Sequence, residues 1–259
     1  MLPREDILNR VEHRDEIAKV LDKAEQALKT WELVVTDFLS PPVLAEVNEI
    51  FAQLTEVKII PWGGYPQAER KRVGIHREEI PCDVSQMPVA ALDIAGNFLF
   101  DTATHRDFLG SILGTGVVRE KVGDIIVLGE RGAQIIVIPE MVDFFETSLV
   151  QVRSVPVKTK QIELSDLRVR EPKKKEMTTV EASLRLDAIA SFGFGISRSK
   201  MADAIDNGDV RVNWKEVTQP SYNLKSEDLV SFRGKGRLEI GEIGVTKKQR
   251  YRISLTRFV

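Results

Sequence analysis

The chain has 259 residues, 42% hydrophobic and 29% charged, with a mean hydropathy of −0.15, the profile of a soluble protein long enough for two or three modest domains. No apolar run approaches the roughly 18–20 residues of a membrane helix. The N-terminus, MLPREDILNRVEHRDE, lacks the apolar core of a signal peptide and is too acidic for a transit peptide, and the single cysteine, Cys82, excludes an intramolecular disulfide and fits a reducing compartment. The net charge of −2 averages two unlike parts: residues 1–150 hold 15 basic and 25 acidic side chains, leaving 22 and 14 for residues 151–259. An acidic front and a basic back bear on partners rather than on fold.

In chain order, Ile7, Val11, Ala18, Leu21, Ala24 and Leu28 recur near helical spacing and predict an amphipathic helix over the first thirty residues. Ser40 caps a second helix, with Pro41 or Pro42 in its first turn, running to about Leu54. VKII (57–60) and KRVGI (71–75) read as strands on either side of the turn PWGGY. VAALDI (89–94) is a strand, and Thr104 caps a helix through Leu113, closed by Gly114 or Gly116. DIIVL (124–128) and AQIIVI (133–138) are joined by the hairpin signal GERG. Pro139 opens the helix EMVDFFETSL, and VQVRSVPV (150–157) returns to strand. The order β-α-β-β-α-β is that of a ferredoxin-like or RRM-like split βαβ. A polar stretch at 158–180, containing REPKKKEMTT, reads as a basic linker. Beyond it, SLRLDAIASFGF and SRSKMADAIDNG form two short helices, the second capped by Ser197 and stopped by Gly208, and short strands complete a small module. The expected class is α+β: an N-terminal helical region (1–55), an RRM-like central domain (56–157), the linker, and a small C-terminal α+β domain (181–259).

The basic residues of that last module suit a phosphate backbone. Ser197, Arg198 and Lys200 open a helix, where free N–H groups and the helix dipole favour an anion. Arg185 joins from the first helix, and Lys215, Arg233, Lys235 and Arg237 come from strand ends or turns. Such contacts give affinity and salt dependence but little sequence readout. Asp187 reads as structural, holding Arg185 or a helix end, and Gly208 and Asn213 as turn formers.

Arg185-Leu186-Asp187, Ser197-Arg198-Ser199, Ile205, Gly208, Val210, Val212-Asn213, Val217, Pro220, Asp228 and the RGKGR run form an ordered pattern that resembles the S-four-type RNA-binding domain. The resemblance implies a reader of folded RNA shape, with contacts drawn from Arg185, Ser197, Arg198, Lys200, Asn213, Lys215, Arg233, Lys235 and Arg237. One position departs from the family: Trp214 stands where the hairpin Asn is usually followed by Gly. A type I′ turn needs positive φ there, which Trp tolerates poorly, so a different loop is expected. Trp214 then either stacks on a base or ribose or packs on the helix pair.

GGYPQAERKRVGI (63–75) and THRDFLGSILGTGVVREKVGDIIV (104–127) are similar to the YlmH-like family, which joins an N-terminal region and an RRM-like middle to a C-terminal S-four-type domain. With the domain order, the resemblance covers nearly the whole chain. The long N-terminal helix and Trp214 look most like the cyanobacterial and plastid branch of photosystem II S-four domain proteins. The resemblance implies a cytoplasmic, non-enzymatic protein without cofactor, bound to rRNA or tRNA on the large ribosomal subunit, in rescue or quality control of stalled translation. The alternative is an RNA- or protein-binding regulator or assembly factor tied to photosystem II biogenesis or cell division.

Read from the residues alone, Arg70, Lys71 and Arg72 follow a Gly-rich turn and can clamp phosphates, giving a secondary RNA contact. His105 and Arg106 open a helix and serve either RNA contact or an internal polar brace; His105-Arg106-Asp107 lacks every other kinase element. DIIVL and AQIIVI carry no aromatic, so the middle domain does not stack bases as an RRM does. His13, His76 and His105 lack metal-ligand spacing, Cys82 has no paired histidine nearby, and GSILGTG ends in Val117-Val118 rather than Lys-Ser/Thr. Arg-Leu-Asp is catalytic in pseudouridine synthases but lies here inside the binding module. No catalytic constellation is visible, and the acidic front is expected to face protein or solvent.

Overall fold

The structure, a computed structural model, describes residues 2–169 and 173–258, which divide into two compact units, Met1–Val169 and Arg170–Val259. In chain order the first unit opens with α1 (Arg4–Leu8), α2 (Arg14–Thr30), β1 (Val34–Val35), α3 (Pro41–Phe51), β2 (Val57–Trp62) and β3 (Arg72–Arg77). Two helices thus replace the single one expected over the first thirty residues. The break has a long-range cause: the N–H groups of Glu12 and His13 bond the buried Glu46 carboxylate on α3, at 2.9 and 3.3 Å, instead of continuing a helix. The buried stripe of α2 is Ile17, Val20, Leu21, Ala24 and Ala27, with Ala18 only half-buried. At the C-terminus of α2, Arg77 stacks on Trp31 at 3.9 Å and donates to the Leu28 carbonyl at 3.1 Å, a cation where the helix dipole favours one.

β2 and β3 do not open the central domain, as the expected boundary at residue 56 required. They join β1 in an antiparallel sheet of order β1-β3-β2, and Val57, Val73 and Ile75 pack with Ile17, Leu21 and Val47. VKII and RVGI carry a strand signal but nothing that says which sheet they enter.

The rest of the unit runs β4 (Ala90–Gly96), α4 (His105–Gly114), β5 (Val122–Val127), β6 (Gly132–Val137), α5 (Val142–Ser148), β7 (Gln151–Val152) and β8 (Val155–Ile162). Sheet order is β5-β6-β4-β8-β7, every pair antiparallel, so β4, β5, β6 and β8 have the ferredoxin-like arrangement. VQVRSVPV is not one strand: it folds into the tight β7–β8 hairpin through Arg153, at φ 55°, and β8 continues into the expected linker. Gly132 is required between β5 and β6: its φ is 115° and a Cβ there would meet the Ile94 carbonyl oxygen at 1.9 Å.

One face of this sheet packs on α4 and α5 through Leu92, Ile94, Phe108, Ile112, Ile135 and Phe145. The other face, where an RRM would hold bases, is covered. Ala91 and Ile136 pack there with Phe38, Tyr65, Leu164 and Leu167, and Gln134 donates to the Asp166 carbonyl while accepting from the Arg168 N–H. Aromatic-free strands and a covered face agree.

The second unit comprises β9 (Lys174–Glu181), α6 (Leu186–Phe194), α7 (Arg198–Asp206), β10 (Val210–Val212), β11 (Lys215–Glu216), β12 (Leu229–Phe232), β13 (Gly236–Val245) and β14 (Tyr251–Phe258). They make an antiparallel sheet of order β11-β10-β12-β13-β14-β9, with α6 and α7 on one face around Leu186, Ile189, Met201, Ile205, Val230 and Leu238. Gly193 lets α6 approach β13 closely, since a Cβ would meet Leu238 Cδ2 at 2.3 Å. The stretch 158–180 is therefore largely strand at both ends, β8 and β9, with the division between units inside it. Its polarity reflects edge strands with one wet face rather than a free linker. Arg170, Glu171 and Pro172 of that stretch lie outside the described residues.

Candidate nucleic-acid interface

The start of α6 is held by the chain itself: the Leu186 and Asp187 N–H groups bond the carbonyls of Tyr222 and Pro220 at 2.7 and 3.0 Å. That leaves the Asp187 carboxylate, on the first turn, to bind side chains. Arg185 donates to it through Nε and Nη2 at 3.0 and 2.8 Å, and Arg198, the first residue of α7, through Nε and Nη2 at 3.1 and 3.2 Å. Two guanidinium forks thus grip one carboxylate whose side chain is 6% exposed, while their own side chains are 38% and 56% exposed. Burial alone would raise the Asp187 pKa, but the hydrogen bonds and charges of Arg185 and Arg198 outweigh it and hold the group below the usual carboxylate range. The cluster carries a net positive charge, fixed in orientation, and each guanidinium keeps donors pointing away from Asp187.

Ser197 caps α7, its hydroxyl accepting from the Lys200 N–H at 3.4 Å. The first turn of α7 therefore presents N–H groups and a positive dipole end beside Arg198, with the exposed Lys200 in the same turn. Ser197 acts as the cap that shapes this end. Asn213 is likewise structural: its amide donates to the buried Asp228 at 2.8 Å and accepts from the Leu229 N–H at 2.9 Å, tying the β10–β11 turn to β12.

The turn itself corrects an expectation. Asn213 and Trp214 have φ of 49° and 70°, and Val212 faces Lys215 across a two-residue connection. The positive-φ turn is kept despite the indole, and Asn213's brace to β12 is what holds it. Trp214 is half-buried, with the Arg237 guanidinium 5.9 Å from its ring centre.

Register sets a second row of residues on the other face of the sheet. Glu216, Arg211, Ser231, Arg237, Phe258 and Lys174 stand in one cross-strand row. The alternate positions Val212, Val230 and Leu238 face the helices, so the row lies on the opposite, solvent face. Lys174 sits 5.7 Å over Phe258, a second cation–aromatic pair. Arg211 and Lys174 were missed from sequence. The alternation of VRV held the signal for Arg211, and Lys174 was hidden in the stretch read as linker. Lys215 is exposed on β11, and Arg233 and Lys235 occupy the exposed β12–β13 turn, Arg233 reaching Asp209 only at 3.9 Å.

The secondary candidates divide. Arg72 is buried, its guanidinium donating to the carbonyls of Thr36, at 2.7 Å, and Pro88; it braces β3 and is closed to RNA. Lys71 bridges Leu39 through its backbone. Arg70 donates to the carbonyls of Phe38 and Val122 at 2.9 and 3.2 Å. Arg106 and His105 lie on the exposed first turn of α4, where the Asp107 carboxylate accepts from the N–H and hydroxyl of Thr104 at 2.8 and 2.7 Å. Asp107 is thus the brace, and its pKa is lowered by those same hydrogen bonds. Among the described residues, Glu12, His13 and Glu46 form the one group with metal-ligand spacing, but Glu46 is occupied by the two backbone N–H groups.

An antiparallel sheet backed by two helices, with guanidiniums fixed at the helix starts, defines a protein with an S4-type module joined to a ferredoxin-like domain. Comparison with known proteins agrees: residues 12–80 match the family "YlmH, N-terminal", residues 84–166 "Putative RNA-binding domain in YlmH" and residues 184–230 "S4 domain". The chain is 33% identical over 249 residues to the ribosome-associated protein quality control protein P2 of Bacillus subtilis (strain 168), covering 96% of each. The chain therefore belongs to the YlmH family. Over 64 residues it is also 33% identical to the small ribosomal subunit protein uS4 of Thermosipho africanus (strain TCF52B), covering 24% of this chain and 31% of that one. The solved cell division protein ylmH from Streptococcus pneumoniae shares the fold, with a TM-score of 0.53, 21% identity, 62% of this chain and 96% of that chain covered. No helix among the described residues is long and apolar enough to cross a membrane.

Proposed function

We propose that this chain is a non-enzymatic, cytoplasmic RNA-binding protein that docks on structured RNA of the large ribosomal subunit, close to tRNA, in quality control or rescue of stalled translation. The observation that carries the reading is the pair of guanidiniums, Arg185 and Arg198, fixed by the buried Asp187 at the N-terminal end of α7. Such a device orients cations toward phosphates at a set spacing, recognising RNA shape without reading bases. Support for the setting comes from the Bacillus subtilis relative, whose name associates it with the ribosome and with quality control. Sedimentation of tagged protein from lysate at low and high salt tests the reading: co-migration with large subunits at low salt, lost at high salt, is expected, and absence from ribosomal fractions at low salt overturns it.

A second reading, a regulator in cell division or photosystem II biogenesis, draws on the name of the Streptococcus pneumoniae protein, a cell division protein, and on Trp214. Crosslinking followed by RNA sequencing separates the two: rRNA and tRNA support the first, and one class of mRNA supports the second.

A further inference from the structure

The segments 63–75 and 104–127 converge on one place in the Met1–Val169 unit. Asp124 of β5 captures the 65–70 loop: its carboxylate accepts from the Tyr65 hydroxyl at 2.7 Å and from the Glu69 and Arg70 N–H groups at 2.7 and 3.0 Å. That pins Arg70 against β5, where its Nε donates to the Val122 carbonyl at 3.2 Å. The same carbonyl oxygen accepts from Nη1 of Arg119, which also bonds the Gly123 carbonyl at 3.0 Å. Two half-buried guanidiniums therefore share one neutral acceptor, and Arg70's other bond goes to a further carbonyl, that of Phe38. Neutral carbonyls orient such groups without cancelling their charge, and two like charges held together in partial burial favour an anion.

We propose that Arg70 and Arg119 form a second phosphate-binding site that takes a phosphate of an RNA backbone. The inference rests on the RNA-binding reading above and adds a contact surface on the other unit. Planar guanidinium forks suit phosphate oxygens. The carboxylates nearby, Asp124, Glu69 and Glu120, keep their charge and oppose the two guanidiniums in part; neutral donors turn the Asp124 carboxylate toward the loop. The electrostatics agree with the geometry. Burial, then the charge of Arg70, push the Arg119 pKa down to about 10. Burial, then the charge of Arg119, lower that of His105, against an opposing pull from Asp124 and Glu69. A bound anion reverses both effects, which makes the His105 ring a reporter of occupancy.

The test uses the full chain, with the His105 titration followed by NMR in chloride, in inorganic sulfate at matched ionic strength, and with a short structured RNA. The expected result is a His105 midpoint raised by about half a unit or more by sulfate and by RNA, and unmoved by either in Arg119→Gln. RNA affinity in Arg119→Gln falls roughly 3–10-fold with a shallower salt dependence, and Arg119→Lys restores part of it. If Arg119→Gln does not fold, the wild-type His105 response still decides. A midpoint moved by sulfate alone overturns the RNA assignment, and one moved by neither overturns the site. Loss of RNA binding in Arg198→Glu with full binding in Arg119→Gln overturns this inference and leaves the C-terminal interface standing. Full binding in both variants overturns the two together.

Discussion

Arginine is put to opposite uses in the two units. In the Arg170–Val259 unit, Arg185 and Arg198 lean on a buried carboxylate and keep exposed faces. In the Met1–Val169 unit, Arg72 is sunk among carbonyls, tying β3 to its neighbours. The residue type is the same, and the acceptor together with burial decides the role. A buried acid turns a guanidinium into an oriented surface donor, whereas full burial among backbone oxygens turns it into a brace. Charge clusters in a sequence therefore mark candidates, and the partner of each cation separates RNA contact from scaffold.

Substitutions can break or sharpen that contrast. The largest effect is expected for Arg72→Met, which leaves the Thr36 and Pro88 carbonyls without their donor: about 2–4 kcal/mol of the first unit's stability by chemical denaturation, with RNA affinity of the folded protein unchanged. A loss of affinity without a loss of stability would assign Arg72 to the interface instead. Asp187→Ala should cost about 1–2 kcal/mol, because the two forks it releases are partly solvated. It should also weaken structured-RNA binding about fivefold, since both cations stay but lose their fixed spacing. Unchanged affinity would mean that orientation does not matter.

Acid titration gives smaller, signed effects. The folded-state pKa of Asp187 lies below its unfolded value, so its stabilisation is present above the unfolded pKa and is lost as pH falls through the folded one. Melting curves of Asp187→Asn should converge on wild type toward the acid end and diverge above pH ~4. For His105 the folded pKa is also lowered, but the charged form is the one penalised. Stability is full above about pH 6.5 and declines as pH falls below it, and His105→Gln should flatten that limb. The smallest effect is expected for Trp214→Gly. Relief of positive-φ strain, about 1 kcal/mol, is offset by the lost Arg237 contact, leaving stability within about 0.5 kcal/mol of wild type.

Local signals carried much of this in advance. Ser197 as cap, Asp187 as the holder of Arg185, the β-α-β-β-α-β order and the unsuitability of the central strands for base stacking all follow from neighbours in sequence. What escaped depended on partners far along the chain. The helix break at residues 9–13 needs Glu46, the placement of β2 and β3 needs α2, and the fate of Arg72 needs Thr36 and Pro88. At Trp214 local propensity argues against the turn, whereas Asn213's bonds to Asp228 and Leu229 override it. β9 was lost in a charged stretch because an edge strand with one wet face reads like a linker, and Lys174 was lost with it.

On the proposed function, the cations at the start of α7 hold RNA phosphates. Binding of a structured rRNA fragment to Arg198→Glu/Lys200→Glu at moderate salt measures it directly. At least roughly tenfold weaker binding and a shallower salt dependence than wild type are expected; a folded double variant that binds as tightly as wild type would contradict the claim.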